Sequence, residues 1–108
     1  MNTKWIVPLE AAGPKDRPRI GGKGYALHRL LSGGFTVPQA VCVTTALYRA
    51  YLSRTGVGER ILMELNRKQF RDLRWEEIWD SALRIRSLFL RKELPRALEA
   101  PLRKSLHA

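Results

Sequence analysis

The sequence predicts an α+β fold, mostly helical with two or three short strands, and three observations carry that expectation. Two short runs, Trp5-Ile-Val and Ala40-Val-Cys-Val-Thr, are rich in the β-branched and aromatic residues that suit a pleated, part-buried surface. Between and after them, apolar residues return at three- and four-residue steps, the spacing of one helix face. Glycine and proline clusters separate these segments closely enough to keep every element short.

In order, Lys4 to Leu9 reads as the first strand, with Pro8 near its end. Glu10 to Arg19 contains Gly13, Pro14 and Pro18 and reads as a loop. A helix is expected to begin around Gly22 to Gly24, with Ala26, Leu27, Leu30 and Leu31 as its apolar stripe and Gly33-Gly34 as its left-handed stop. After the Phe35-Thr-Val-Pro turn comes the second strand, Ala40 to Thr44. Thr44 or Thr45 then caps a helix over 46–54 that turns Leu47, Tyr48, Tyr51 and Leu52 inward. Thr55-Gly-Val-Gly interrupts it, and a further helix spans about 59–66.

The strongest helical signal lies at 75–91, where Trp75, Ile78, Trp79, Ala82, Ile85, Leu88 and Phe89 define a core-facing stripe. Glu76 and Glu77 open that helix and Arg91-Lys92 close it, both in accord with the helix dipole. Leu94, Leu98 and Leu102 mark a last segment, which Pro101 is expected to kink or restart.

At 108 residues the chain suffices for one small domain. Its 44% hydrophobic and 28% charged content are ordinary for a globular protein. No apolar run reaches the roughly 20 residues of a membrane span, and the N-terminal apolar stretch is too short for a secretory signal. A cytoplasmic location without membrane partners is the resulting expectation. A single cysteine, Cys42, excludes an internal disulfide and a cysteine-based zinc site; within Ala-Val-Cys-Val it reads as a buried structural thiol.

The formal charge of +10 is dispersed. Residues 1–40 carry six basic and two acidic side chains, and residues 41–108 carry fourteen and eight. Nucleic-acid binders more often concentrate their basic residues on one face or tail. A stand-alone basic module for RNA or an acidic protein therefore remains as the alternative reading of the chain.

Chemistry concentrates at Gly21-Gly-Lys-Gly, directly before the first helix. A helix N-terminus presents unpaired N–H groups and the positive end of its dipole to an anion. Gly21, Gly22 and Gly24 let the backbone approach, and Lys23 adds a full charge, so a phosphate is the expected ligand. A flexible loop with a chance lysine is the competing explanation. The segment is not a Walker loop, because Gly24, and not Ser or Thr, follows the lysine.

Read through to Tyr48, the segment Ile20-Gly-Gly-Lys-Gly-Tyr-Ala-Leu-His-Arg-Leu-Leu-Ser-Gly-Gly-Phe-Thr-Val-Pro-Gln-Ala-Val-Cys-Val-Thr-Thr-Ala-Leu-Tyr resembles a known opening. It is similar to the start of the nucleotide-binding domain of phosphoenolpyruvate synthase, pyruvate phosphate dikinase and the rifampicin phosphotransferases. The glycine–lysine loop, the leucine-bearing helix, the glycine–proline turn, the strand ending in Val-Thr and the next helix occur in the same order over residues 4–54. Gln39-Ala40 stands where that family often has Pro-Gly, and Thr36 where it often has proline.

The resemblance implies an ATP-grasp-type domain in which Lys23, with Gly21, Gly22 and Gly24, contacts the phosphates of ATP. It implies one incomplete nucleotide-binding domain over 1–108, with the glycine loop and strands at 4–54 and helices at 55–108. A Val-Arg-Ser-Ser segment and magnesium carboxylates would follow in the family, so the magnesium ligands are expected outside this chain. The partners implied are the nucleotide and the rest of a larger phosphotransferase, or a second chain supplying it. Catalysis by the segment alone is not expected, and no catalytic or metal-ligating residue is assigned. His28 and His107 read as ordinary solvated side chains.

Overall fold

The computed structural model describes residues 5–107, which group into two units. The first comprises residues up to 50 and from 96 onward, and the second residues 51–95. The proposed Lys4 start of the first strand lies outside the described residues.

In the first unit, β1 (Ile6–Pro8) pairs antiparallel with β2 (Val41–Val43) in the register Ile6 to Val43, Val7 to Cys42 and Pro8 to Val41. Bonds beyond the strands lengthen this small ladder. Leu9 N donates to Ala40 O at 3.0 Å, while Thr44 donates to Trp5 O through its backbone N at 2.9 Å and its hydroxyl at 3.1 Å. The strand therefore enters regularly through Gln39-Ala40. The core gathers around Ile6, Val7, Leu9, Ala12, Leu47 and Leu98, with buried Thr44 beside them.

The segment read as a loop before Gly21 is largely helical. Short 3-10 turns at Leu9–Ala11 and Pro14–Asp16 lead into α1 (Arg17–Ser32). Asp16 organises this entry: its carboxylate accepts from Gly13 N and from the Arg19 guanidinium, both at 2.9 Å. Pro14 and Pro18 occupy first-turn positions where a missing N–H costs nothing, so they start these helices instead of breaking them. The expected stripe on α1 is only partly sheltered. Leu31 is half-buried while Ala26, Leu27 and Leu30 are exposed, and the close approach to β2 is made at Gly24, beside Cys42. The left-handed residue after α1 is Gly34.

Thr44 O accepts from Leu47 N and Tyr48 N, so Thr44 takes the cap position of α2 (Thr45–Thr55). Leu47 is buried, Tyr51 and Leu52 half-buried, and Tyr48 exposed. α5 (Arg96–Leu106) packs on β1 and runs through Pro101 without restarting. Complete burial of Leu98, and half-burial of Pro101 and Leu102, outweigh the one hydrogen bond that proline cannot make.

The second unit pairs α3 (Val57–Leu65) with α4 (Trp75–Leu90). The Tyr51 and Phe89 rings stack at 5.9 Å. Glu64 of α3 accepts from Arg84 Nε of α4 at 2.6 Å, from Ser81 Oγ at 3.2 Å and from Arg67 at 3.3 Å. The Arg84 hydrogen bond is the main reason the Glu64 carboxyl lies below its ordinary value. Glu77 is lowered in the same way, first by Arg74 and then by Lys68.

The apolar arc of α4 is wider than one neighbouring helix covers. Ile85, Leu88 and Phe89 are half-buried, but Trp75 is 67% and Trp79 59% exposed. The expected core-facing stripe is thus correct for its C-terminal part and wrong for Trp75, Ile78, Trp79 and Ala82, which are exposed.

Two measurements check this account. Leu98→Ala should cost about 2–5 kcal/mol, as buried leucine truncations do, whereas Trp79→Ala in dilute protein should stay within about 0.5 kcal/mol; chemical denaturation reads both. Lowered carboxyl values stabilise above the unfolded glutamate value of 4.5, and that contribution is lost as pH falls through the lower native value. The denaturation midpoint should accordingly decrease as pH is taken below 4.5, and Glu64→Gln should flatten part of that decrease.

Candidate functional site

Gly21 has φ 76° and ψ 177°, a backbone region essentially reserved for glycine. It splits α1 into a first turn at 17–20 and a longer helix from residue 22 onward. The expectation that a helix starts at Gly22 to Gly24 is met by this second piece, although a helical turn also precedes it.

Of the four expected site residues, Gly21, Gly22 and Lys23 are exposed and Gly24 is half-buried. A side chain added at Gly21 or Gly22 would meet nothing within 4 Å, so the backbone there is open to a ligand. Among the described residues Lys23 makes no hydrogen bond or ion pair. Gly24 has another reason to be glycine. A Cβ there would lie 3.2 Å from Cys42 Sγ and 3.3 Å from Ile20 Cβ, so its bareness lets α1 press against β2. Part-burial raises the Cys42 thiol above its ordinary value and keeps it protonated, as a packing residue and not a nucleophile.

The same helical run brings Arg17 over the Tyr25 ring, 5.2 Å from its centroid, and fixes Arg19 on Asp16. Both lay in the presumed loop. The signal that could have placed them was Asp16 three residues after Gly13, with Pro14 and Pro18 opening helices. His28 is half-buried instead of solvated, with Nε2 3.5 Å from Ser32 Oγ and Nδ1 without a partner. His107 is exposed beyond the end of α5. Among the described residues no three His, Cys, Asp or Glu side chains are grouped to hold a metal ion, and no helix is long and apolar enough to cross a membrane.

Comparison with known proteins bears on what this exposed helix start could meet. The family described as the pyruvate phosphate dikinase AMP/ATP-binding domain matches residues 17–108. The chain belongs to this family. It is 30% identical over 95 residues to a probable phosphoenolpyruvate synthase of Methanocaldococcus jannaschii, a stretch covering 88% of this chain and 8% of that protein. It is 26% identical over 109 residues to a phosphoenolpyruvate synthase of Pseudomonas aeruginosa, covering 97% of this chain and 14% of that protein. A prodigiosin synthesizing transferase, PigC, of Serratia marcescens is 35% identical over 52 residues, covering 48% of this chain and 6% of that protein. The chain thus spans only a small fraction of the length of these relatives. For this member of the AMP/ATP-binding domain family, the family match begins at Arg17, four residues before the Gly21 break.

Both glycine roles can be measured. Gly21→Ala should cost about 1–3 kcal/mol, because alanine does not tolerate that backbone region. Gly24→Ala should be better tolerated by about 1 kcal/mol in a Cys42→Ala background than in the parent chain, since removing Sγ relieves the overpacking. A double-mutant cycle by chemical denaturation gives this coupling directly.

Proposed function

We propose that this chain forms the opening part of the nucleotide-binding domain of a phosphoenolpyruvate synthase/pyruvate phosphate dikinase-like phosphotransferase of the ATP-grasp type. On this reading residues 1–108 are a single incomplete domain, and Lys23 with the amides of Gly21 to Gly24 contacts the phosphates of ATP. The observation that carries the proposal is the Gly21 break: it starts a helix at an open, glycine-lined backbone and leaves Lys23 beside it without a partner among the described residues.

The fit to a phosphate is chemical. Unpaired helix N–H groups, the positive end of the dipole and an ammonium all favour the anion, and bare glycines admit its oxygens. ATP would supply the transferable phosphoryl group, while these residues hold and orient the phosphates. Transfer itself needs metal ligands and an acceptor site. The magnesium ligands are therefore assigned to further residues of a longer protein or to a second chain, and the segment alone is a binding element without catalysis.

A few phosphate contacts supply about 4 kcal/mol, so the isolated chain should bind magnesium–ATP with a dissociation constant on the order of millimolar. It should distinguish adenine from other bases little. In an NMR titration, amide signals of residues 21–27 should move first, and Lys23→Ala should abolish the shifts while leaving the rest of the spectrum folded. Shifts clustered elsewhere, or equal binding by the alanine variant, would reject the phosphate-loop reading. ATP hydrolysis by the lone chain at an enzymatic rate would reject its incompleteness.

A further inference from the structure

The second unit holds a concentration of positive charge that the glycine loop does not explain. A groove of about 390 Å³ runs between α3 and α4, and one spacing used twice builds its walls. On α3 the lining residues are Arg60, Met63, Glu64 and Arg67; on α4 they are Arg84, Ser87, Leu88 and Arg91. Both sets sit at i, i+3, i+4 and i+7, the positions of one helix face. Each wall therefore carries two arginines separated by roughly 10 Å, about two turns at 1.5 Å per residue.

The charges of the groove are unevenly matched. Glu64 is the single carboxylate among the lining residues, and it accepts from Arg84 Nε at 2.6 Å and Arg67 Nη1 at 3.3 Å. Lys68 meets Glu77 as Glu64 meets Arg84, so the two helices run antiparallel. Arg60, one turn before Glu64, is thereby carried to the end of the groove where Ser87 and Arg91 lie. Both arginines are exposed, and among the described residues neither their side chains nor the Ser87 hydroxyl has a hydrogen bond or ion pair. Four guanidinium groups thus face one carboxylate, and two share a groove end with nothing to offset their mutual repulsion.

We propose that this groove binds a small phosphoanion of several charges, seated on Arg60, Arg91 and the Ser87 hydroxyl and extending toward Arg84. Arg84 keeps donors beyond the Nε committed to Glu64. A guanidinium presents a planar fork that matches phosphoryl oxygens two at a time. The two oxygens of one carboxylate would leave most of these donors unused, whereas a chain of phosphoryl groups supplies oxygens for both ends of the groove. The site favours the free anion over a magnesium complex, whose metal has already taken up part of the charge. Nucleic acid fits less well, because no aromatic ring is among the lining residues for a base to stack on. An acidic peptide also fits less well, since only Met63 and Leu88 offer it apolar anchorage. The inference stands on residues 60–91 and does not depend on the reading of Lys23.

Sodium tripolyphosphate, added without magnesium to the whole chain, should give a saturable NMR titration. The Nε–H signals of Arg60, Arg84 and Arg91 and the amides of residues 87–91 should move together. Raising salt from about 0.05 to 0.15 M should weaken the binding, since the contacts are exposed to screening. Arg60→Gln and Arg91→Gln should each weaken it by about fivefold or more, because each removes a charged fork. Arg86→Gln removes the same charge from the same helix outside the groove, and should change it by less than about twofold. Equal losses for Arg86→Gln and Arg91→Gln would mean diffuse attraction to the net charge and overturn the site, as would an absence of shifts at Arg60 and Arg91. Tighter binding at these same residues by single-stranded RNA or a glutamate-rich peptide would overturn the choice of ligand.

Discussion

The first unit depends on a ladder of only three residue pairs, extended at one end by Thr44 on the Trp5 carbonyl and at the other by Leu9 on Ala40. These bonds close a loop of almost forty residues, an entropic cost that the burial of Ile6, Val7 and Leu9 must offset. Once the register is set, Cys42 stands opposite Val7, and Gly24 can approach its sulfur. That approach seats α1, and α5 packs on β1 of the same pair. The open backbone at Gly21 and Gly22 is therefore held by a helix whose other side is clamped to the sheet. Precision at the proposed phosphate contact derives from the ladder.

Much of this was legible in the residues. The two strands, the helix after Gly22 and the long helix from Trp75 follow from local chemistry and spacing, and the structure has each of them, while the break expected over 55–58 shrinks to Gly56 alone. Other features were not local. Pro14 and Pro18 look like loop residues until Asp16 is seen collecting Gly13 N and Arg19. Pro101 looks like a break until Leu98 is found wholly buried against the first unit's core. The tryptophans of α4 carry a core-like pattern and yet face solvent, because periodicity records which residues share a face and not whether anything covers it. At the candidate site, the residue types were readable, but the division of labour among the glycines was not. Only coordinates distinguish Gly21, needed for its backbone angles, from Gly24, needed for its missing side chain.

The second unit solves its charge problem differently from the first. Arg84, Ser81 and Arg67 converge on Glu64, so one carboxylate from α3 joins itself to α4 in a charge-assisted cluster. This arrangement gives the α3–α4 pair, which has little fully buried apolar surface, a defined register, while the ring stack ties Tyr51, before α3, to Phe89 of α4. Glu64 and Glu77, which appear in the sequence as mere interleaving among arginines, are in fact assigned to particular partners.

The break at Gly21 also divides the order in which α1 can assemble. Four residues are too few to sustain a helical turn unaided, because the nucleation penalty is not recovered over so short a run. The piece from residue 22 onward has the length to propagate, and the turn at 17–20 must instead be templated by Asp16 from outside. Amides on the two sides of Gly21 thus belong to separate cooperative units, with the N-terminal one the first to exchange its hydrogens. The lysine lies at the seam between a persistent helix and a turn that opens and closes on its own schedule.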